Sequence, residues 1–269
     1  MAEAEQTIVE AFPASTVLMV RDGAQGLEVF MVVRHSKIDF ASGALVFPGG
    51  KVDPEDSGAD LIARCAGGAG LDAGAMALRI AAIRETFEEA GVLLARRRGA
   101  ADLVSGADFD AIAATYRGDL HGGVIGMAEI AEAEDLELAT DLLAPFAHWI
   151  TPIQVRRRFD THFFVIPAPV SQTALHDGSE SVDSVWIRPA DAVAEAEAGE
   201  RSVMFPTRLN LNKLGEGASV DAVLANAAAQ PVVTVLPQVE KLDDGGRRMQ
   251  IPFEAGYGAS EFVVAYDGA

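Results

Sequence analysis

Residues 84–92 read Arg-Glu-Thr-Phe-Glu-Glu-Ala-Gly-Val, and residues 47–53 upstream of them read Phe-Pro-Gly-Gly-Lys-Val-Asp. When residues 76–90 are placed on a helix at about 100° per residue, apolar side chains share one face: Ile80, Ile83, Phe87 and Ala90. The glutamates of the motif gather on the opposite face: Glu85, Glu88 and Glu89. Gly91 follows as a residue that can take the left-handed conformation and end the helix. The stretch therefore predicts an amphipathic helix with three carboxylates in its last turn.

Three carboxylates at the end of a helix are unfavourable for stability alone. Like charges three or four residues apart repel by about 0.2–0.5 kcal/mol per pair, and negative charge near a helix C-terminus opposes the dipole by about 0.3–1 kcal/mol. A divalent cation would turn this arrangement into a binding site, because Mg²⁺ prefers carboxylate, phosphate and water oxygens. A solvated acidic face is the alternative interpretation, and the glycines of the upstream loop favour the metal site: Gly49 and Gly50.

The composition of the chain limits the classes of function. Of its 269 residues 49% are apolar, which suffices for a buried core, and its formal net charge is −19. This charge repels phosphate, so we expect no general binding to nucleic acid or to an anionic membrane. Cys65 is the only cysteine, so no internal disulfide can form, and we assign it no chemistry. The acidic start and the lack of a long apolar run lead us to expect a cytoplasmic protein.

Strand and helix signals alternate along the chain. Strands are predicted at residues 14–21, 27–34, 44–47, 147–150, 158–166, 184–188 and 231–239. Helices are predicted at residues 59–66, 76–90, 109–120, 127–138, 189–198, 207–214 and 219–229. This order predicts an α/β or α+β sandwich that forms a single domain over residues 1–269. We expect insertions at about 57–75 and at 100–142, the second of them helical, and a C-terminal extension from about 216.

The motif and its context resemble the signature of the Nudix hydrolases. In that signature a glycine-containing loop ends in an acid, and a spacer leads to Arg-Glu-x-x-Glu-Glu-x-Gly and an aliphatic residue. Residues 84–92 match the second half at every fixed position. In the first half, Asp56 stands where the family usually has glutamate, and the spacer, residues 57–83, is much longer than usual. This leaves open whether the loop acid still pairs with Arg84.

Other features are similar to the branch of the family that cleaves coenzyme A and acyl-coenzyme A. The long spacer is one of them, and the segments 149–152 and 157–164 are two more. Arg34 and the segment 43–50 are similar to a coenzyme A motif of Nudix diphosphatases, from which His35 departs. The resemblance implies a Nudix-type α/β/α sandwich with a central mixed sheet and added helices.

The resemblance also implies an enzyme that uses Mg²⁺ or Mn²⁺ to hydrolyse a diphosphate linkage in a nucleoside diphosphate derivative. The expected substrate is coenzyme A or acyl-coenzyme A, cleaved to 3′,5′-ADP and (acyl-)phosphopantetheine. One alternative is hydrolysis of ADP-ribose, NADH or another nucleoside diphosphate derivative. Another is a Nudix-like sensor that binds a nucleotide without cleaving it, which the presence of all three glutamates disfavours. The expected partners are a CoA-like small molecule and a second copy of the chain in a homodimer.

The resemblance assigns roles to individual residues. The implied metal ligands are Glu85, Glu88, Glu89 and a backbone carbonyl of Gly49 or Gly50. Either Glu85 or Glu89 is expected to orient or deprotonate the attacking water. Glu180 is a candidate base from a later loop, with a solvated turn residue as its alternative. Arg84 is expected to point aside from the glutamates and to be structural, bound to Asp53 or Asp56 through charge-assisted hydrogen bonds.

Four residues are candidates for binding the substrate: Arg34, Phe47, Arg157 and Arg158. Arg157 and Arg158 belong to a run of three arginines, a residue type that suits bidentate binding of phosphate. Solubility is the alternative explanation for that run. We expect His148 and His162 to be packed or surface histidines rather than metal ligands.

Overall fold

The computed structural model describes residues 9–34, 43–178 and 181–264. Its strands are β1 (Phe12–Gly23), β2 (Gly26–Arg34), β3 (Leu45–Val46), β4 (Gly49–Lys51), β5 (Ala95–Arg97), β6 (Leu136–Leu138), β7 (Ala144–Ile150), β8 (Phe159–Pro167), β9 (Ser181–Ile187), β10 (Thr234–Val235), β11 (Gln238–Lys241), β12 (Arg247–Gln250) and β13 (Glu261–Val264). Its helices are α1 (Ala59–Ile62), α2 (Ala73–Ala90), α3 (Gly106–His121), α4 (Met127–Ala133), α5 (Pro189–Glu197), α6 (Phe205–Leu214) and α7 (Val220–Ala229). Short 3₁₀ turns lie at Pro54–Ser57, Thr140–Leu142 and Phe253–Ala255. None of the helices in these ranges is long and apolar enough to span a membrane.

A mixed sheet of eight strands forms the centre of the fold, in the order β10-β7-β8-β1-β2-β3, with β4 also paired to β1 and β9 to β2. The predicted hairpin of β1 and β2 is present, and residues 12–20 of β1 pair in parallel with the whole of β8. In this hairpin only residues 20–23 of β1 pair with β2, so the start of β1 can pair with β4 at residues 14–16. Gly49 and Gly50, which we expected in a loop, therefore lie in the sheet opposite Thr16 and Ser15.

The two faces of the sheet are covered by different helices. Because side chains alternate along a strand, Val17 and Met19 of β1 face one hydrophobic cluster and Leu18 and Val20 face another. The first cluster includes side chains of α2, α3 and α4, and the second includes side chains of α5, α6 and α7. The predicted α/β/α sandwich with a central mixed sheet is confirmed.

Helix α2 is fixed at both ends and along its buried face. It starts one turn earlier than predicted, where the Asp72 side chain accepts a hydrogen bond of 2.8 Å from the amide of Ala75. It ends as predicted at Gly91, whose φ is 62°. The predicted packing face is fully buried, and each of its large side chains contributes about 1.5–3 kcal/mol: Ile80, Ile83 and Phe87.

Residues 100–142 add to the main core. Phe109 and Ile112 of α3 and Ile130 of α4 are buried in the first cluster with α2. The predicted helix 127–138 was wrong at its end, because Leu136–Leu138 forms β6 and pairs with β5. Pairing with a distant strand overrides local helix preference there.

The C-terminal region also differs from the sequence prediction. The predicted strand 231–239 is split between β10, which joins the main sheet, and β11, which forms a separate antiparallel sheet with β12 and β13. A hydrogen-bonded chain connects this region to the sandwich: the indole of Trp149 donates to the Tyr257 hydroxyl at 2.7 Å, and that hydroxyl donates to Asn210 at 2.8 Å. The three-stranded sheet was missed because its strands are four residues long.

Candidate active site

The two glycines of β4 bring the strand into contact with the end of α2. A Cβ atom at Gly49 would lie 2.3 Å from the carbonyl oxygen of Ser15, and the φ of Gly49 is 154°. The amide of Gly49 donates a hydrogen bond of 2.8 Å to Oε2 of Glu89. A Cβ atom at Gly50 would lie 2.3 Å from Oε1 of Glu85. A side chain at Gly49 would therefore push β4 away from β1, whereas one at Gly50 would displace the carboxylate of Glu85.

Arg84 joins the loop after β4 to α2. Its Nε donates to Oδ1 of Asp56 at 3.1 Å, and its Nη2 donates to Oδ2 of Asp56 at 3.0 Å and to the carbonyl of Lys51 at 2.8 Å. Asp53 lies farther away, with its Oδ2 at 3.5 Å from Nη2. The expected contact between Arg84 and Asp56 is present, although aspartate replaces the usual glutamate. The long spacer of residues 57–83 therefore does not prevent the contact between Asp56 and Arg84.

The other terminal nitrogen of Arg84 lies between two of the glutamates. Nη1 donates to Oε1 of Glu85 at 2.9 Å and to Oε1 of Glu88 at 3.1 Å. The expectation that Arg84 points aside from the glutamates was therefore wrong, because the flat guanidinium can face the loop acid and the helix acids together. Burial alone would lower the pKa of Arg84, but the hydrogen bond to Asp56 and the nearby carboxylates raise it above its usual value.

The three glutamates are partly withdrawn from solvent. The side chains of Glu85 and Glu88 are 13% and 12% exposed, and Glu89 is 7% exposed. Burial raises the pKa of Glu85 to about 7, although the charge of Arg84 opposes the shift. Burial also raises the pKa of Glu88. These carboxylates do not form a solvated acidic face, and their burial makes the charged forms costly.

The donor atoms of this site suit a hard divalent ion. Carboxylate oxygens from one helix end, with the backbone of β4 beside them, are the ligand type that Mg²⁺ and Mn²⁺ take. The positive charge of such an ion would offset the cost of the buried carboxylates. In the described residues the carboxylates of Glu85 and Glu88 are held by Arg84, and that of Glu89 is held by Gly49.

Helix α3 contributes two residues that the sequence analysis did not select. Arg117 donates from Nε to the carbonyl of Glu88 at 3.1 Å and from Nη2 to the carbonyl of Glu89 at 3.2 Å. It therefore satisfies two carbonyls at the end of α2 and places positive charge at the negative end of the helix dipole. Nδ1 of His121 lies 3.9 Å from Oε2 of Glu88. Both residues act across a large separation in sequence, and no local motif marks them.

The candidate substrate residues lie in different surroundings. Phe47 is 4% exposed and packs in the second hydrophobic cluster. Arg158 is 6% exposed, and its guanidinium donates to the carbonyls of Thr151 at 3.0 Å and Val9 at 2.7 Å. Phe47 is therefore packed inside the protein, and Arg158 is hydrogen-bonded to its backbone.

The other two candidates, Arg157 and Arg34, have guanidinium groups that are available to bind a ligand. Arg157 is exposed, with its Cζ 5.5 Å from the centre of the Phe159 ring. Arg34 ends β2, and its buried Nε has no hydrogen-bond partner among the described residues. Glu180 and His35 lie outside the described residues.

Comparison with known proteins identifies the family. Residues 68–214 match the model of the NUDT19 Nudix domain. Acyl-coenzyme A diphosphatase NUDT19 of Xenopus laevis is 23% identical over 259 residues, which span 81% of this chain and 68% of that protein. A putative nudix hydrolase 7 of Caenorhabditis elegans is 28% identical over 192 residues, which span 70% of this chain and 56% of that protein.

A solved structure supports the same assignment. The crystal structure of a NUDIX hydrolase from Alicyclobacillus acidocaldarius superposes with a TM-score of 0.69 at 28% identity, over 81% of this chain and 97% of that one. The glutamate motif, the sandwich around it and the matched family model agree. The chain therefore belongs to the Nudix hydrolases, with a Nudix domain of the NUDT19 family.

Proposed function

We propose that this Nudix hydrolase cleaves the diphosphate linkage of coenzyme A or acyl-coenzyme A with water, giving 3′,5′-ADP and (acyl-)phosphopantetheine. The observation that carries the proposal is the packing of three partly buried glutamates of α2 against the glycine strand β4. The choice of substrate rests on the family model of the NUDT19 Nudix domain and on a relative named as an acyl-coenzyme A diphosphatase.

The cofactor in this proposal is Mg²⁺ or Mn²⁺. Its ligands would be Glu85, Glu88 and Glu89 with a backbone carbonyl of Gly49 or Gly50. When bound, the ion supplies positive charge that neutralises the diphosphate and favours attack by water. Either Glu85 or Glu89 orients or deprotonates that water. Glu180 stays a second candidate for the base.

Arg84 acts as a positioning residue in this proposal. It holds Asp56 and the carbonyl of Lys51 on one side and Glu85 and Glu88 on the other. Arg84 therefore fixes the position of the loop relative to the end of α2. This rigidity is what a site needs to hold reacting groups in place.

Arg34 and Arg157 are the candidates for contact with the anionic substrate. The buried Nε of Arg34 has no hydrogen-bond partner among the described residues, which is costly, and an oxygen of a substrate phosphate would supply one. Arg157 offers an exposed guanidinium for a second phosphate or for the nucleotide. We further propose that residues 1–269 form one elaborated Nudix domain and that two copies form a homodimer.

Incubation of the purified protein with Mg²⁺ and a panel of substrates tests the proposed function. The panel comprises coenzyme A, acyl-coenzyme A, ADP-ribose, NADH and dinucleoside polyphosphates, with products identified by mass spectrometry. We expect 3′,5′-ADP and (acyl-)phosphopantetheine, with turnover lost in Glu89→Gln and kept in Glu132→Gln, an exposed glutamate of α4. Faster turnover of ADP-ribose or NADH than of coenzyme A and acyl-coenzyme A would show that the proposed substrate is wrong. No turnover of any diphosphate would overturn the enzymatic proposal.

A further inference from the structure

Strands β7 and β8 present two histidines and an aspartate on one face of the sheet. His148 and His162 are directly opposite each other in the antiparallel register, and Asp160 lies two residues from His162 on the same face. The two imidazole rings stack with centroids 3.9 Å apart and an interplanar angle of 22°. Among the described residues, this is the one set of three His, Cys, Asp or Glu side chains whose ligand atoms all lie within 4.8 Å of one another.

Both histidines direct the same ring nitrogen to the same carboxylate oxygen. Nε2 of His148 contacts Oδ1 of Asp160, and Nε2 of His162 lies 3.9 Å from that oxygen. The sequence analysis, which expected packed or surface histidines rather than metal ligands, did not predict this convergence. The convergence of the two histidines depends on the pairing of two strands rather than on spacing in sequence, so sequence patterns do not reveal it.

We propose that His148, Asp160 and His162 bind a transition-metal ion of the Zn²⁺ type at a site separate from the glutamates of α2. Two imidazoles and one carboxylate are a ligand set of catalytic and regulatory zinc sites, which leave a fourth position open. The same set disfavours Mg²⁺, which takes oxygen ligands in octahedral geometry. The two metal sites of the protein would then differ in the ion that each prefers.

The surroundings prepare one histidine for this role. Nδ1 of His148 lies 2.8 Å from the hydroxyl oxygen of Thr234 on β10. A hydrogen bond donated from Nδ1 to that hydroxyl leaves the lone pair of Nε2 free for a metal.

Binding requires a small rearrangement of the side chains. The ion would replace the direct contact between His148 and Asp160, and the stacked rings would rotate apart, because each nitrogen lone pair lies in the plane of its ring. Rotation about χ2 of histidine is soft, and the backbones of two paired strands hold the three residues in place. The side chains of His162 and Asp160 are 34% and 37% exposed, so an ion can reach them from solvent.

Helix α2 separates this site from the candidate active site. His162 and Gly50 flank Ser15 on opposite sides in the sheet. The Ser15 hydroxyl donates a hydrogen bond of 2.6 Å to the carbonyl of Leu78, so α2 covers the strand between them. At a strand spacing of about 4.8 Å the two backbones are roughly 10 Å apart. Side chains of the two sites therefore reach different flanks of the helix.

A cavity of about 220 Å³ adjoins the histidines and gives the open coordination position room for water or an anion. Arg79 also lines this cavity, with its Cζ 5.0 Å from the centre of the Phe164 ring. The positive charge of Arg79 opposes a cation and limits the affinity of the site. Removal of the Arg79 charge should therefore tighten metal binding. If the cluster binds no metal ion, the same substitution should have no effect on the titration.

Titration of the metal-free full-length protein with Zn²⁺ or Co²⁺ in excess Mg²⁺ tests the proposal. We expect one equivalent to bind by calorimetry, with visible Co²⁺ absorption that reports nitrogen ligation. Binding should weaken at least tenfold in His148→Asn, His162→Asn and Asp160→Asn and tighten in Arg79→Gln. It should persist in the triple variant Glu85→Gln, Glu88→Gln, Glu89→Gln and in His176→Asn, a histidine outside the cluster.

Two results would overturn the proposal. One is the absence of a stoichiometric Zn²⁺ or Co²⁺ signal in the wild-type protein. The other is equal binding by the wild-type protein and the three ligand variants, with their fold verified by circular dichroism. Neither result bears on the proposed diphosphatase, because excess Mg²⁺ and the triple glutamate variant separate the two sites.

Discussion

The guanidinium of Arg84 donates two hydrogen bonds to the carboxylate of Asp56, which lies 28 positions earlier in the chain. The side chain of Arg84 is 8% exposed and that of Asp56 is 2% exposed. Asp56 also accepts a hydrogen bond of 2.8 Å from the amide of Asp53, which fixes the turn after β4. A buried, paired contact thus closes the loop of the Nudix motif across a long inserted segment.

Replacing Asp56 by asparagine should strongly destabilise the protein. The change removes the negative charge of one carboxylate that pairs with buried Arg84, which keeps Glu85 and Glu88 as partners, so we expect a cost of about 1–3 kcal/mol. The free energy of unfolding measured in urea should fall by that order. Asp60→Asn, an exposed aspartate of α1, is the matched control and should change it by less than about 0.5 kcal/mol. Equal stabilities of the two variants would contradict a structural role for Asp56.

Replacing Gly50 by alanine should disturb the glutamate site more than the fold. The new Cβ atom would lie 2.3 Å from Oε1 of Glu85, and the far end of that side chain can move away. We expect weaker Mn²⁺ binding, measured by electron paramagnetic resonance, and at least a tenfold loss of diphosphate hydrolysis.

Gly118→Ala is the control for this substitution. Gly118 lies in α3, and beyond the adjoining backbone of that helix no atom of the described residues would come within 4 Å of its added Cβ. Alanine in a helix is better than glycine by about 0.5–1 kcal/mol, so this variant should be slightly stabilised and fully active. If Gly50→Ala bound Mn²⁺ and hydrolysed substrate as well as Gly118→Ala does, the close contact between β4 and Glu85 would not be needed for metal binding or activity.

Much of the sandwich could be predicted because its signals are local. The hairpin of β1 and β2, the apolar face of α2 and the stop at Gly91 each follow from periodicity or from one residue type. The resemblance to the Nudix signature implied a contact of Arg84 with Asp53 or Asp56. Which option holds depends on how the turn at residues 54–57 folds, and that is a tertiary property.

The features that sequence reasoning missed depend on distant partners. Leu136–Leu138 is a strand because it pairs with β5. Arg158 has its hydrogen bonds with Thr151 and Val9, so a motif of three arginines indicated phosphate binding where one member is structural. His148 and His162 meet only through the register of β7 and β8. Spacing along the chain carries no information on such contacts.

Replacing Arg117 by methionine should loosen the end of α2. Arg117 binds the carbonyls of Glu88 and Glu89 and also that of Leu175, so its loss leaves three carbonyls without this donor. We expect the free energy of unfolding to fall by about 1–3 kcal/mol and amide exchange to rise selectively over α2. The apparent Mg²⁺ requirement for activity should increase because the carboxylates are held less firmly.

Arg98→Met is the control for Arg117, since Arg98 is half exposed and pairs with exposed Asp135. A surface ion pair contributes about 0–1 kcal/mol, so this variant should keep its stability and its Mg²⁺ requirement. An unchanged Mg²⁺ requirement in Arg117→Met, with only its stability reduced, would limit Arg117 to a role in folding.

The thiol of Cys65 should react slowly with alkylating reagents in the folded protein. Burial, with a smaller effect from the charge of Glu137, raises the pKa of this thiol to about 12. Because the thiolate is the reactive form, less than about one part in 10³ of the folded protein carries it at pH 8, and each unit of rising pH should speed the reaction tenfold. Mass spectrometry after iodoacetamide treatment should find little label in the native protein and rapid labelling in guanidinium chloride. Complete labelling of the native protein within minutes at pH 8 would contradict the burial of this thiol beside α1.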